Sequence, residues 1–210
     1  MRLSITLLVS ACWLLSPAHA QEQRDSVRYS GGFVFHDGIY LDFQAFRNNA
    51  PSVPMAALTT AQDQRVTDLA STNGKLFYTD SAGQSTRLDL DRTWGFCDKG
   101  IVYVRAGNDF SRIGLMGTLA HLVFDATYHN FDPYMYNGGS TYTVEEQRFL
   151  NMETGAFLTV TAGGIYQAIS RDAILKEDFD ALSRKQRNKP ETVFLFMRRY
   201  NDRHPLYFPR

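Results

Sequence analysis

Two periodicities divide this chain. From residue 32 to about residue 160, short apolar–polar alternations are punctuated by turn residues, and after Thr161 the apolar residues recur at helical spacing. In the first part, Gly38-Ile-Tyr-Leu-Asp-Phe43 alternates, which places Ile39, Leu41 and Phe43 on one face of a strand entered through His36-Asp37-Gly38. Residues 46–54 read as a loop with one helical turn at its start. Strands 75–79 and 85–90 flank Asp80-Ser81-Ala82-Gly83, a hairpin turn. Strands 93–97 and 101–106 flank Asp98-Lys99-Gly100, a three-residue loop in which Gly100 takes the left-handed conformation. Gly107-Asn108-Asp109 turns into a strand at 110–115, and Glu153-Thr154-Gly155 joins strands 147–152 and 156–160.

Residues 118–128 also alternate, with Ala120, Leu122, Phe124, Ala126 and Tyr128 on one face, and Val123, Phe124, Thr127 and Tyr128 favour a strand. Beyond residue 160, Ile165, Ala168 and Ile169 form one helical stripe and Leu175, Phe179 and Leu182 a second. Pro190 and Glu191 suit the first turn of a last helix, with Val193, Met197 and Tyr200 on its apolar face and Pro205 at its end. The expected fold is α+β: an antiparallel β-meander, as a curved sheet or partly closed barrel, over residues 21–160, with C-terminal helices over 161–210 packed on it as part of the same single domain.

The N-terminus changes the compartment. Met1-Arg2 is followed by an apolar run at 3–15, a break at Ser16-Pro17, the small-x-small Ala18-His19-Ala20, and a polar stretch from Gln21. Residues 1–20 therefore read as a cleavable secretory signal peptide. The run is too short for a spanning helix, which needs about 20 residues, and no transmembrane segment is expected in the mature chain. Val9-Ser10-Ala11-Cys12 offers a rival reading as a lipidation site, but the residues after Cys12 are apolar where a lipoprotein tether is polar. Beyond residue 20 the sole cysteine is Cys97, so no intramolecular disulfide forms there.

Charge balances overall but not locally. Residues 21–170 carry 11 Lys and Arg against 16 Asp and Glu, and residues 171–210 carry 10 against 6. The basic end offers peripheral contact with an anionic surface, against the plainer reading of a solvated helical face. Neither compartment nor total charge favours nucleic acid.

Several stretches together carry a resemblance: Gly38-Ile-Tyr-Leu-Asp-Phe-Gln-Ala-Phe-Arg-Asn-Asn-Ala-Pro51, Trp94-Gly-Phe-Cys97, Phe110-Ser-Arg-Ile-Gly114 and Arg198-Arg-Tyr-Asn-Asp-Arg-His-Pro-Leu-Tyr-Phe-Pro209. Over most of the chain beyond residue 20 the sequence resembles an exported protein family common in Bacteroidota, one with no assigned reaction. The resemblance implies a periplasmic or outer-membrane-associated setting and carries over no catalytic residue.

Hydrolase elbows, zincin helices, phosphate-binding glycine loops and EF-hands are missing from the sequence. Three constellations remain. Cys97 with His121 or His129 has the composition of a thiol–imidazole dyad, against a structural role beside Trp94. His121, Asp125, His129 and Asp132 suit a divalent metal, provided they converge: on a helix they would, on a strand they would not. The stretch Tyr128-His-Asn-Phe-Asp-Pro-Tyr-Met-Tyr-Asn-Gly-Gly-Ser-Thr-Tyr142 has a binding surface's mixture of rigid aromatic anchors and adaptable polar groups, with Tyr128, Phe131, Tyr134, Tyr136 and Tyr142 as candidate contacts. Its alternative is a lid of tyrosines folded back on the sheet. The sequence thus points to a cofactor-free, non-catalytic binding or assembly module of the cell envelope that recognises a protein or glycan. An envelope hydrolase using Cys97 or the His/Asp group is the alternative, and a metal-binding protein a weaker one.

Overall fold

The computed structural model describes residues 26–72, 74–80, 82–130 and 139–209. The expected signal segment 1–20 with Cys12 lies outside them, as do Phe131, Asp132, Tyr134 and Tyr136. Strands β1 (Ser26–Arg28) and β2 (Gly38–Tyr40) precede helix α1 (Phe43–Arg47). The strands β3 (Val53–Pro54), β4 (Leu58–Thr60), β5 (Leu76–Thr79), β6 (Ser85–Arg87), β7 (Gly95–Asp98), β8 (Ile101–Ala106) and β9 (Asp109–Leu115) follow. Two long strands, β10 (Leu119–Asn130) and β11 (Ser140–Asn151), lead to β12 (Phe157–Thr159). The chain closes with α2 (Ala162–Ile169), α3 (Ala173–Asp180), α4 (Arg184–Arg187), α5 (Pro190–Arg203) and β13 (Tyr207–Pro209).

The fold is α+β. Eight antiparallel strands form one sheet in the order β12-β11-β10-β9-β8-β7-β2-β3, a meander from β7 to β12 that stays open and does not close into a barrel. A small sheet, β4-β5-β6, and the pair β1-β13 complete the strands.

Side-chain alternation gives the large sheet two working faces. Tyr40, Cys97, Val102, Val104, Ile113, Ala120, Leu122 and Leu150 share a core with Phe35, Phe46 and Phe208 from α1, β13 and the segment after β1. On the opposite face, Ile39, Val53 and Phe96 meet the small sheet through Leu58, Leu76 and Leu88. Further along that face, Leu119, Phe149 and Leu158 meet the helices through Ile165, Leu175, Phe179, Val193 and Phe196. The helices thus pack on the sheet, as their apolar stripes require.

Several local expectations need correction. β2 stops at Tyr40, because Asp42 accepts a hydrogen bond from the Ala45 amide at 2.7 Å and starts α1 one residue later. Leu41 is consequently exposed rather than aligned with Ile39 and Phe43. The turn after β7 has two residues, not three: Asp98 pairs with Ile101, and Lys99 and Gly100 both take positive φ, 53° and 75°. β6 ends at Arg87, since Asp89 caps a short 3-10 turn at Leu90–Arg92. The pairing of β1 with β13 had no sequence signal of its own.

The last helix is fastened to the sheet by side chains of the Tyr-Asn-Asp-Arg-His run. Asn201 grips the backbone of Leu119 from both sides, accepting from its N–H at 2.7 Å and donating to its carbonyl at 2.9 Å. A Cβ on Gly117 would lie 2.5 Å from Asn201 Nδ2, so glycine there leaves room for the grip. Thr118 donates its hydroxyl to the His204 carbonyl.

Gly164 makes a sharper point. In a helix, Gly→Ala ordinarily stabilises by about 1 kcal/mol, but here the new Cβ would lie 2.0 Å from the Thr159 carbonyl oxygen. Gly164→Ala is therefore expected to destabilise by about 1–3 kcal/mol; chemical denaturation checks the sign.

Candidate functional site

Beyond its base, the β10–β11 hairpin leaves the sheet. β9 pairs with β10 only at His121 and Leu122, with a register shift between them. β12 pairs with β11 only from Arg148 to Leu150. Residues 123–130 and 140–147 therefore pair only with each other among the described residues, as a ladder about 25 Å long. The turn at Gly107 lies against Phe124 and Asp125, so the β10 edge is partly shielded. The β11 edge, residues 140–147, has no strand partner among the described residues.

Each face of this arm has its own chemistry, because directly opposed residues in an antiparallel ladder share a face. One face carries an aromatic strip. Tyr128 and Tyr142 are cross-strand partners with ring centroids 5.6 Å apart and planes at 24°. Tyr128, Tyr142 and the neighbouring Val144 are each at least 41 % exposed. The strip is anchored at its base by a chain of polar contacts. Tyr128 donates its hydroxyl to Glu146, Glu146 pairs with Arg148 at 2.5 Å, and the Arg148 guanidinium lies over the Phe124 ring.

The other face is acidic. Asp125 stands directly opposite Glu145, and no cation pairs with either carboxylate among the described residues. Like charges directly opposed destabilise a ladder. Farther out, Thr127 faces Thr143 at 3.4 Å, and His129 Nδ1 lies 2.8 Å from Thr141 Oγ1.

This geometry revises the expectation of a loop running from Tyr128 to Tyr142: both residues belong to the regular ladder. The signal available was the alternation Thr141-Tyr-Thr-Val144, four β-favouring residues, which outweighs the nearby glycines. Phe131, Tyr134 and Tyr136, the remaining aromatic candidates, lie outside the described residues.

His121, Asp125 and His129 lie on strand β10, so four-residue steps separate them by about 13 Å each and they do not converge on one ion. No group of three His, Cys, Asp or Glu among the described residues is arranged to hold a metal; Asp132 lies outside them. His121 instead meets Gln147 Oε1 at 3.1 Å and packs edge-on against Phe194 of α5.

Cys97 lies in the aromatic core, fully buried, on the sheet face opposite to that of His121. Its thiol donates to Asp37 Oδ1 at 3.3 Å. Burial pushes its pKa far up, and the Asp37 hydrogen bond raises it further. A thiol held protonated is a poor nucleophile. Thiol-reactive reagents at pH 8 are expected to label Cys97 slowly in the native protein and fast in denaturant, and the two rates measured side by side check this.

The basic end is partly spent on internal pairs. Arg187 reaches Asp180 at 3.6 Å, and Arg199 pairs with Asp178. The apolar face of α5, including Val193, Phe196, Met197 and Tyr200, is buried in the domain's own core. Among the described residues no helix is long and apolar enough to cross a membrane. Comparison of the chain with protein-family models, curated proteins and solved structures returns no match, so its chemistry is read from the site geometry alone.

Proposed function

We propose that this chain is a non-catalytic binding module of the cell envelope. In this reading residues 1–20 export it to a periplasmic or outer-membrane-associated setting. Its β10–β11 arm captures an extended, basic segment of a partner protein as an added strand. The observation that carries the reading is the open β11 edge at 140–147, which presents a row of main-chain donors and acceptors. That edge carries neither Lys nor Pro, two of the usual guards against strand addition.

The chemistry of the partner follows from the faces. A Lys or Arg from an added strand relieves the Asp125–Glu145 opposition, which no cation meets among the described residues, while apolar side chains lie on the Tyr128–Tyr142 strip. A second copy of the chain is a worse occupant, since pairing two β11 edges gathers their glutamates together.

Tagged protein cross-linked in cells and purified from solubilised envelope tests this. The wild type is expected to bring down a discrete protein in a salt-sensitive manner. Asp125→Lys with Glu145→Lys, and separately Tyr128→Ala with Tyr142→Ala, are expected to reduce its recovery by about tenfold or more. Undiminished recovery by both double variants sinks the arm reading, and recovery of glycan in place of protein transfers it to a sugar ligand.

A further inference from the structure

Where the small sheet faces the large one, the interior does not close. A cleft of about 440 Å³ opens between them, within the size range of small-ligand sites. Its aromatic wall is built by the meander: Phe96 on β7 and Tyr103 on β8 are cross-strand partners, stacked with centroids 4.6 Å apart and planes at 14°. Phe110 on β9 meets Phe96 edge-on at 5.2 Å. Arg105 holds the rim in place, donating to the Leu90 carbonyl at 2.9 Å and to Asp91 at 2.8 Å, with its guanidinium over the Phe110 ring. Of the other polar side chains at the cleft, Thr72 donates its hydroxyl to the Asp68 carbonyl, and three are open to a ligand. The Tyr103 hydroxyl and the Asn108 amide make no side-chain hydrogen bond among the described residues, and Asp109 bonds only the adjacent Phe110 amide.

We propose that this cleft binds a neutral carbohydrate chain. Aromatic rings give the apolar C–H face of a sugar a surface to lie on, while a phenol, an amide and a carboxylate answer its hydroxyls. Anionic ligands are disfavoured, because the Arg105 guanidinium is already bonded to Asp91, and Asp109 adds a negative charge that no cation pairs among the described residues. On the meander wall the backbone groups of β7 and β8 are consumed in the ladder, which leaves an extended main chain little to pair with there. A second recess of about 520 Å³ adjoins the cleft, with Gly74, Leu76, Leu90 and Asp91 lining both. Two adjoining recesses give room for more than one sugar ring. This site is independent of the arm.

Calorimetric titration of the purified protein with cellohexaose, maltohexaose, laminarihexaose and chitohexaose tests it. At least one is expected to bind with micromolar to low-millimolar affinity. Tyr103→Ala and Phe110→Ala are expected to weaken that binding by about tenfold, and Asn108→Ala and Tyr103→Phe by several-fold. Asn108 is exposed, so its variant serves if the aromatic ones fail to fold. Tyr128→Ala on the arm is expected to leave sugar binding unchanged. No binding by any of the four sugars at millimolar concentration overturns the proposal. So does affinity undiminished in Asn108→Ala and Tyr103→Ala, or an uncharged peptide binding where the sugars do not.

Discussion

Asp172→Ala is expected to lower stability by about 2–4 kcal/mol, one of the largest losses from a single polar side chain in this fold. Three residues, from α3 and the end of α5, converge on that carboxylate. It caps α3 by accepting from the Leu175 amide at 3.0 Å. Its Oδ2 accepts from Arg203 Nε at 2.6 Å and lies 2.8 Å from His204 Nε2, and its Oδ1 takes a longer bond from Arg203 Nη2 at 3.3 Å. Its side chain is 2 % exposed, whereas Arg203 and His204 are 43 % and 38 % exposed. The variant therefore strands no fully buried cation, which keeps the loss below that of a fully buried pair. Asp180→Ala, which breaks exposed pairs with Lys176 and Arg187, is expected to cost less than about 1 kcal/mol.

The pH dependence of that loss follows from the direction of the shift. The Arg203 hydrogen bond holds the Asp172 carboxyl well below the usual carboxylate range, outweighing the upward push of burial. A depressed carboxylate contributes stability that is complete above its unfolded value of about 4 and fades as pH falls through the lower folded value. The part of the stability gap between wild type and Asp172→Asn that this carboxyl's shift supplies should therefore be full above about pH 4 and narrow below it. Urea titrations from about pH 5 downward measure it, and a gap that widens there contradicts the assignment.

How far the sequence reaches is visible in particular residues. The meander from β7 to β12 was legible because its turns carry glycine where left-handed backbone is needed, as at Gly100, Gly107 and Gly155. Helices α2, α3 and α5 were legible from their stripes. The β1–β13 pair was not, because three-residue strands joining the two ends of a chain carry no period and depend on tertiary packing. The arm was half legible: β10 showed its alternation, but Gly138-Gly139 and Pro133 in its surroundings masked where β11 begins. The cleft was invisible because Phe96, Tyr103 and Phe110 sit on three different strands and converge only through the ladder register. The Trp94-Gly-Phe-Cys97 run, which looked like a motif, serves the fold. Trp94 stacks on Phe46 at 4.5 Å, and a Cβ on Gly95 would lie 2.3 Å from the Tyr103 carbonyl oxygen. The run shows why a distinctive stretch of sequence need not be a catalytic one.

Phe208→Ala should cost about 3–5 kcal/mol, comparable to deleting a central core residue, although it lies within two residues of the last one. Its ring is fully buried and packs against Tyr29, Phe33, Phe35 and Phe46, with centroids 4.9 to 6.2 Å apart. These residues come from both ends of the chain, so one side chain closes the sheet face that also holds Cys97 and Leu122. The Arg47 guanidinium lies 4.7 Å from the centre of the same ring and donates to the Tyr207 carbonyl at 2.9 Å. Burial lowers the Arg47 pKa, with the nearby Glu153 charge acting in the opposite direction. Loss of the ring thus opens a cavity and weakens the seating of a partly desolvated cation at once, and β13 is expected to detach from β1. For a domain this size each kcal/mol moves the melting temperature by about 2–4 °C. A drop of roughly 10 °C in Phe208→Ala beside a near-unchanged Tyr207→Ala, whose side chain is exposed, is the expected pair of results. Equal, small drops in both would mean that the C-terminal strand rests on the sheet without holding its core together.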